Sequence, residues 1–540
     1  MGITLVRSFV DAHRYVALCI AGTAFVLVWG LPTLVIPFAA DQSWFALGAR
    51  TVLRGDQLYR DFHDQKPPLI YLLYAVPQFI AGASYEAVRV FDLFNTLLAM
   101  AGVFFLTKRF LPERAAILAA AVYGFVYLTS VESDGLAETE SFIAAPLTFA
   151  LAIYPVRSDK RALPAAFVSG LFLGLAFSLK FSIAPFVLAL PVMELMLRDR
   201  QTWEWTGAVK RLTVAAAAFL LIQAGWVGYL AFAGVLDDFI DIQRNFTIHY
   251  QNLRWSPNYE PYIRSAFIST EAWLSRAWYI TALAWVGLLL LLIRGPRSAG
   301  YLLGLLAAVA IASVWWQGKF FQYHWIITFP VLAPLAGYFL HSILEGLRGL
   351  PRTPVLAVSA AVLIGFGVMA TDPLLRTYDA YSLLYHRVAG DRSQDQTDAL
   401  YNSVLGLNHE LVDYVTENSD QDEPFVIWGT WPQALLLADR PSSTSFVTSP
   451  ALRAKWTPDK WRREYIEDLQ AVPPRFFAVV EGDWQPWLTG TDRSSREDFC
   501  DNYRELRTLI EADYLPVFNN GLFILYDREA TEAEATGACP

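Results

Sequence analysis

Long apolar runs alternate with short polar connections along the first 371 residues of the chain. A helix needs about 20 mostly apolar residues to cross a bilayer. Eleven segments approach or exceed that length, at 15–38, 84–107, 115–131, 137–155, 163–179, 181–197, 212–234, 277–293, 299–316, 324–343 and 354–371. The shorter apolar stretch 69–82 predicts an interfacial or re-entrant helix. The pattern predicts a multi-pass α-helical membrane domain over residues 1–371.

The pattern changes after residue 371, where short apolar runs alternate with amphipathic segments. Strands are predicted at 424–428, 475–480 and 522–526, and helices at 398–417 and 497–511. Such alternation is typical of a soluble α/β domain, here residues 372–540. No glycine-rich phosphate loop follows a strand, so the pattern gives no indication of a nucleotide site. We interpret this part as an accessory domain.

The composition supports this division of the chain. The 540 residues are 55% hydrophobic and 17% charged, whereas a soluble chain has roughly 25% charged residues. The net charge of −9 divides into +5 for residues 1–371 and −14 for residues 372–540. An acidic C-terminal part does not favour nucleic acid as a partner.

Basic residues on alternate loops predict the orientation of the chain. With a cytosolic N-terminus, the short cytosolic loops carry 16 of the 27 basic residues of the first 371, in accord with the positive-inside rule. An odd number of spans then places residues 372–540 outside the cytosol. There Cys500 and Cys539 could form a disulfide, although two unpaired thiols are the equal alternative.

The first outer loop, residues 39–83, contains the first candidates for chemistry. Asp41 follows the first span directly and could act as a general base on an incoming substrate; alternatively, it caps the interfacial helix predicted at 43–53. Lys66 precedes two prolines at headgroup depth. It could bind a lipid phosphate, or it could simply extend its charge to the interface.

Further candidates lie at the outer ends of later spans. Glu140 opens a predicted span, and ionisable residues at membrane depth are functional candidates. Lys180 interrupts an apolar run. The polar break 317–324 contains Lys319, Tyr323 and His324, which could contact phosphate or sugar hydroxyls. For Arg89 and Asp92, three residues apart, an intrahelical ion pair is the simpler interpretation.

Known metal and hydrolase motifs are missing from the sequence. There is no H-E-x-x-H, Walker or G-x-S-x-G pattern and no Cys/His ligand spacing. A divalent metal bound by Asp41 and Glu140 remains an open alternative, since hard cations accept carboxylate oxygens. No other cofactor is predicted.

Five segments together resemble the GT-C glycosyltransferases. The segments are GDQLYRDFHDQKPPLIY (55–71), AETESFIAAPLTFAL (137–151), GLAFSLKF (174–181), QGKFFQYHW (317–325) and FVIWGTWPQALLLADRP (425–441). Their order is similar to that of a family 39-like group. This group includes protein O-mannosyltransferases, aminoarabinose lipid A transferases and Rgt-type lipopolysaccharide glycosyltransferases.

The resemblance implies particular roles for individual residues. Asp41 matches the family's catalytic acid, although Gln42 stands where many relatives have a second acid. Lys66 matches a lysine that binds donor phosphate in the aminoarabinose transferases, and Gln65 replaces the acid before it. Glu140 matches the second acidic position of the family.

The resemblance also implies an inverting transfer from a polyprenyl-phosphate sugar to a hydroxyl of a lipid, glycan or protein acceptor. The enzyme would lie in a bacterial plasma membrane, among membrane lipids, with its C-terminal domain periplasmic or extracellular. We hypothesise three groups of site residues: catalytic Asp41 and Glu140; donor phosphate-binding Lys66, Lys180 and Lys319; and substrate-binding Tyr59, Asp64, Gln65, Arg89, Tyr323 and His324. The alternative functions are a transporter or flippase of lipid-linked sugars and a structural membrane scaffold.

Overall fold

A computed structural model describes residues 2–82, 84–156, 159–198, 203–253, 262–347, 365 and 371–539. The helices up to residue 347 are α1 Gly2–Gly30, α2 Ala40–Arg54, α3 Leu69–Ala81, α4 Tyr85–Phe110, α5 Glu113–Ser130, α6 Thr139–Ile153, α7 Ala162–Phe177, α8 Ala189–Met196, α9 Trp205–Phe232, α10 Leu236–Ile242, α11 Ile248–Asn252, α12 Tyr262–Arg276, α13 Trp278–Arg294, α14 Arg297–Gln317 and α15 Phe329–Leu347. Short 3₁₀ helices cover Leu31–Val35, Phe181–Leu188 and Gln322–Thr328, and a π-helical turn covers Gln243–Thr247.

The C-terminal part contains shorter helices and four strands. The helices are α16 Thr371–Val388, α17 Gln394–Tyr401, α18 Ser403–Glu417, α19 Pro432–Ala438, α20 Pro450–Arg453, α21 Asp459–Ala471, α22 Pro486–Thr489, α23 Ser495–Asp501 and α24 Arg504–Asp513. The strands are β1 Phe425–Trp428, β2 Phe476–Val480, β3 Leu515–Asn519 and β4 Phe523–Asp527.

Membrane-spanning helices confirm the predicted fold class. Within the described residues, five helical segments are long and apolar enough to cross a membrane: His13–Val35, Tyr85–Phe110, Trp205–Phe232, Arg297–Gln317 and Gln322–Leu347. The bent pair Ile263–Trp273 and Trp278–Arg294 would make a sixth. The chain is therefore a multi-span membrane protein.

The predicted count of eleven spans is not confirmed. Several predicted spans form shorter apolar helices, including α6 and α7. The predicted span 181–197 begins as a 3₁₀ helix that contains Pro185, which has no N–H to donate, and continues as α8. The last predicted span, 354–371, lies almost entirely outside the described residues.

The chain divides into two compact units. The first contains residues 1–35, 88–225 and 261–385, and the second contains residues 36–87, 226–260 and 386–540. In the first unit, helices α5, α13 and α15 pack side by side. A Cβ atom at Gly287 would lie 2.0 Å from the Leu335 carbonyl oxygen. Glycine at this position lets α13 and α15 approach closely.

The second unit contains the predicted α/β fold of the C-terminal part. The strand order is β1-β2-β4-β3; β1 and β2 are parallel, and the other neighbours are antiparallel. Every residue of β1, β2 and β4 is buried, which explains why these strands read as continuous apolar runs. Strand β3 was not predicted, because only one of its five residues is buried.

The second unit also contains the loop that was assigned to the membrane domain. Arg50 and Arg54 of α2 donate to the Asp439 carboxylate at 2.6 and 2.8 Å. The His63 backbone N–H donates to the Ser445 carbonyl at 2.9 Å. Residues 36–87 therefore fold with the C-terminal part. Residues 366–370 lie outside the described residues, so the membrane boundary at residue 371 stays a prediction.

A disulfide closes the C-terminal part of the chain. Cys500 of α23 is bonded to Cys539, with their Cα atoms 5.5 Å apart. Of the two alternatives left open by the sequence, the structure has the paired one. The bond ties the chain end to α23 across 39 residues of sequence.

Candidate active site

Asp41 lies in the first turn of α2, at the point where the chain leaves the first predicted span. The N-cap is Ala39, whose backbone N–H donates to Gln42 Oε1 at 2.7 Å. The interpretation of Asp41 as the N-cap is therefore wrong, because Ala39 has that position and Asp41 lies within the first turn. The Asp41 side chain is 31% exposed, so its carboxylate is accessible. A negative charge is also favoured in a first helical turn.

Lys66 reaches Asp41 from the loop before α3. Its Nζ lies 3.2 Å from Asp41 Oδ2 and 4.1 Å from the centroid of the Phe45 ring. Phe45 is fully buried, and its face stabilises the ammonium group. Pro68 is the N-cap of α3 and Pro67 precedes it, so the prolines end the loop directly after Lys66. The structure thus brings the proposed acid and the proposed phosphate-binding cation together.

Buried polar residues hold the backbone around Lys66. Tyr59, at a left-handed φ of 74°, donates its hydroxyl to the Lys66 carbonyl at 2.9 Å. Asp64 accepts a short hydrogen bond from the Tyr71 hydroxyl and a 2.6 Å bond from the Gln65 backbone N–H. Burial raises the pKa of Asp64, while the nearby Lys66 charge opposes that rise. These contacts place Tyr59 and Asp64 as supports of the loop; their predicted contact with substrate stays a prediction.

Two further residues near Asp41 were missed by sequence reasoning. Tyr250, in α11, has a pKa raised above its ordinary value mainly by burial, and the Asp41 charge adds to the rise. Gln243 Nε2 donates to the Gln65 carbonyl at 2.9 Å. Neither residue belongs to a recognisable motif, because both enter through a separate stretch of chain, 226–260. The predicted substrate-binding role of Gln65 stays a prediction.

A second carboxylate–lysine pair lies in the first unit. Glu140, in the first turn of α6, is 2% exposed. Its Oε1 lies 2.5 Å from Lys180 Nζ, and its Oε2 accepts from the Thr139 hydroxyl at 2.6 Å. Lys180 precedes the 3₁₀ helix 181–188, at the break predicted from the interrupted apolar run. Both oxygens of Glu140 are thereby engaged.

The polar break 317–324 contributes aromatic and basic side chains to the first unit. The Tyr323 ring lies 5.6 Å from Lys180 Nζ and 4.7 Å from the His324 ring. Lys319 and His324 are 4% and 3% exposed, and Lys319 Nζ donates to the Gln317 carbonyl at 3.4 Å. The structure thus groups Tyr323 with Lys180 and Glu140, whereas the predicted roles of Lys319 and His324 are not tested.

Polar side chains of α4 anchor the turn that precedes Glu140. Arg89 is fully buried and donates to the Leu136 carbonyl at 2.8 Å. Asp92 accepts from the Tyr127 hydroxyl at 2.7 Å and from the Ala137 N–H at 3.1 Å. These bonds fix the backbone before α6, where Ala137 has a φ of 60°. They account for Arg89 as a positioning residue, while its predicted contact with substrate stays untested.

The possible divalent metal at Asp41 and Glu140 stays a prediction. No group of three or more His, Cys, Asp or Glu side chains within the described ranges could hold an ion. Gln42 offers an amide oxygen where relatives have a second acid, and that oxygen already accepts from Ala39. Asp41 and Glu140 each lie beside a lysine ammonium, so each carboxylate has a positive charge next to it.

Comparison with known proteins agrees with this architecture. Residues 65–227 match the family model described as dolichyl-phosphate-mannose-protein mannosyltransferase. No curated protein has significant sequence similarity to the chain.

Solved structures show the fold. ArnT from Cupriavidus metallidurans bound to undecaprenyl phosphate superposes with a TM-score of 0.59 at 14% identity, covering 97% of this chain and 100% of ArnT. Apo ArnT gives 0.58 at 14% identity, with the same coverage. The archaeal oligosaccharyltransferase AglB from Archaeoglobus fulgidus gives 0.49 at 13% identity, covering 96% of this chain and 74% of AglB. The predicted resemblance is confirmed, and the chain has the GT-C fold.

Proposed function

We propose that this protein is a membrane glycosyltransferase. It transfers a sugar from a polyprenyl-phosphate donor to a hydroxyl group of a lipid, glycan or protein acceptor. The Asp41–Lys66 pair carries the proposal, because it joins a carboxylate that can take a proton to an ammonium that can bind phosphate. The mannosyltransferase family match and the fold shared with ArnT support the same class of donor.

The proposed reaction is a single displacement at the anomeric carbon. The acceptor oxygen attacks that carbon as the bond to the phosphate oxygen breaks, and the sugar inverts its configuration. The acceptor proton passes to the Asp41 carboxylate. The phosphate leaves with the electron pair of the broken bond, and Lys66 stabilises the negative charge that develops there.

We also propose that Lys66 exchanges partners when the donor binds. Its ammonium lies 3.2 Å from Asp41 Oδ2. Both side chains are partly exposed, so separating them costs little free energy. A bound phosphate diester competes for the ammonium, which leaves the Asp41 carboxylate to take the proton of the acceptor.

Glu140 is proposed to orient the sugar or the acceptor, with Lys180 and Lys319 contributing positive charge for the donor. Thr139 and Lys180 hold both oxygens of Glu140, so this carboxylate is rigid. A rigid acceptor of hydrogen bonds is better suited to orienting hydroxyl groups than to moving protons.

The proposed location is a bacterial plasma membrane, with the N-terminus in the cytosol and the C-terminal part outside. The Cys500–Cys539 disulfide supports this orientation, because disulfides persist in oxidising compartments. With this orientation a lipid-linked sugar is the expected donor, and a cytosolic nucleotide sugar would not be the direct substrate.

The test is transfer from radiolabelled undecaprenyl-phosphate sugars in proteoliposomes that contain a native lipid and glycan extract as acceptor. We expect labelled product with the natural chain and with Asp56→Asn, which removes an exposed carboxylate in the same loop. We expect none with the combined Asp41→Asn and Lys66→Ala variant. Full transfer by that variant would overturn the assignment of roles, and donor flipping without any transfer would favour the transporter instead.

A further inference from the structure

A cavity in the C-terminal part lies outside the residues proposed for transfer. It has a volume of about 510 Å³ and is formed by α20 to α24 and the end of β1. This volume is in the range of small-molecule sites, which run from about 300 to 1,000 Å³. None of the motifs identified in the sequence explains it.

The floor of the cavity is rigid and its charges are balanced. Arg453 is fully buried and donates through Nε to Asp498 at 2.8 Å and through Nη2 to the Arg493 carbonyl at 2.9 Å. The Trp428 indole N–H donates to the Ser495 carbonyl at 2.9 Å, and its ring meets the Tyr503 ring at 4.6 Å. These groups shape the site and bring no net charge to it.

The walls carry an excess of positive charge. Lys455, Arg463 and Arg504 are exposed, and none of them forms an ion pair with a described residue. In total five cations and three carboxylates line the cavity, which gives it a net charge of +2. The C-terminal part as a whole, residues 372–540, has a net charge of −14. Arg504 also lies in the first turn of α24, where a cation destabilises a helix. Helix stability therefore does not account for this arginine.

Neutral polar groups complete the lining. Thr489, Thr491 and Asn502 face the cavity. Asn502 uses its Nδ2 to donate to Asp498 at 2.8 Å, which leaves its amide oxygen as an acceptor. The Arg462 guanidinium lies 5.9 Å from the Tyr503 ring. The cavity thus combines cationic donors with neutral acceptors, a set that suits a ligand rich in hydroxyl groups and carrying an anion.

We propose that this cavity binds a short anionic saccharide, one that carries a phosphate or a carboxylate group. The surrounding negative charge repels long polyanions, while the local positive charge attracts a short ligand that fits the cavity. Use of the site to hold an acidic acceptor glycan rests on the proposed function. Binding itself does not, so it is measured without donor or membrane acceptor.

The test is calorimetric titration of the full-length protein in detergent with mannose 6-phosphate, glucuronic acid, mannose and inorganic phosphate. We expect at least one of the two anionic sugars to bind more tightly than both mannose and inorganic phosphate. The Arg463→Gln/Arg504→Gln variant should weaken that binding at least tenfold. Arg528→Gln is the matched control, since it removes an exposed arginine of the same segment outside the cavity, and it should bind within twofold of the natural chain.

Three results would overturn the proposal. The first is no binding of either anionic sugar; the second is binding of inorganic phosphate as tight as that of mannose 6-phosphate. The third is equal loss of affinity in the cavity variant and in the control. Both variants change exposed side chains, and unchanged melting curves establish that they are folded. Raising NaCl from 0.1 to 0.5 M should weaken binding of the natural chain more than that of the cavity variant.

Discussion

Two carboxylate–lysine pairs, one in each compact unit, differ in how far they are removed from solvent. Asp41 and Lys66 are 31% and 25% exposed at a separation of 3.2 Å. Glu140 is 2% exposed and lies 2.5 Å from Lys180, which is 25% exposed. A partly exposed pair contributes about 0–1 kcal/mol. Removing the counterion of a buried carboxylate lowers the stability of the fold by several times that amount.

This difference suits the two pairs to different tasks. The first can open when an anion competes for Lys66, which leaves Asp41 to accept a proton. The second is held by Thr139 as well as by Lys180, and opening it would leave Glu140 as an uncompensated buried charge. The same two residue types therefore favour proton transfer at one position and rigid orientation at the other.

The largest expected effect is on catalysis at the exposed pair. Replacing Asp41 with Asn keeps the size of the side chain and removes the base. We expect kcat for sugar transfer to fall about 10³-fold, within the range typical of general-base catalysis, with little change in donor KM. Steady-state kinetics in proteoliposomes measures both constants. Activity within tenfold of the natural chain would show that Asp41 is not the base.

A smaller loss is expected when the cation of the same pair is removed. Lys66→Gln should lower kcat/KM about 10²-fold, because one donor to the developing phosphate charge is lost. Inhibition by the product undecaprenyl phosphate should weaken in parallel. Lys66→Arg keeps the charge and should recover part of the activity. If Lys66→Gln lowered kcat without changing product inhibition, Lys66 would act on Asp41 alone.

The sequence allowed the members of each pair to be predicted, but not the pairing. Lys180 interrupts an apolar run, and Asp41, Lys66 and Glu140 stand where a polar segment adjoins an apolar one, so all four are visible without a structure. Lys66 lies 25 residues from Asp41, and Lys180 lies 40 from Glu140. Pairing over such separations depends on tertiary packing, which a single sequence does not encode in a local pattern.

The same limit explains the differences between the predicted and the observed fold. Strands β1, β2 and β4 were predicted from short apolar runs and all of their residues are buried, whereas only one residue of β3 is buried and Pro516 interrupts its apolar run. The loop 39–83 looks like part of the membrane domain when only chain order is considered. Its long-range contacts through Arg50 and His63 instead place it in the second unit.

A stability measurement sharpens the contrast between the pairs. Lys180→Met leaves Glu140 buried without its counterion and should lower the free energy of unfolding by about 2 kcal/mol. This loss is smaller than the loss expected for a fully buried pair, because Lys180 is partly exposed. Lys66→Met should lower the free energy of unfolding by less than about 1 kcal/mol. Thermal melting in detergent compares the two.

The double variant Glu140→Gln/Lys180→Met is the control for this interpretation. It removes both charges, so it should be more stable than Lys180→Met alone. A double variant less stable than the single one would mean that Lys180 stabilises the first unit by packing and not by charge.

The smallest expected effect concerns the loop that holds Lys66. The His63 ring stacks on Phe446 at 4.4 Å and meets Trp461 edge-on at 4.5 Å. Burial lowers the pKa of His63 to about 3; Asp241 opposes this shift and Lys460 adds to it. The unfolded chain, with an ordinary histidine pKa near 6.5, binds a proton first as the pH falls. Stability should therefore decrease below pH 6.5, by about 1 kcal/mol between pH 7 and 5.5.

The variant His63→Phe tests this dependence, because phenylalanine keeps the ring contacts and does not titrate. The His63 Nε2 atom has no hydrogen-bond partner among the described residues, so the change breaks no hydrogen bond at that atom. The natural chain should melt at a lower temperature at pH 5.5 than at pH 7, and this difference should shrink in His63→Phe. An equal difference in both proteins would assign the acid sensitivity to other groups.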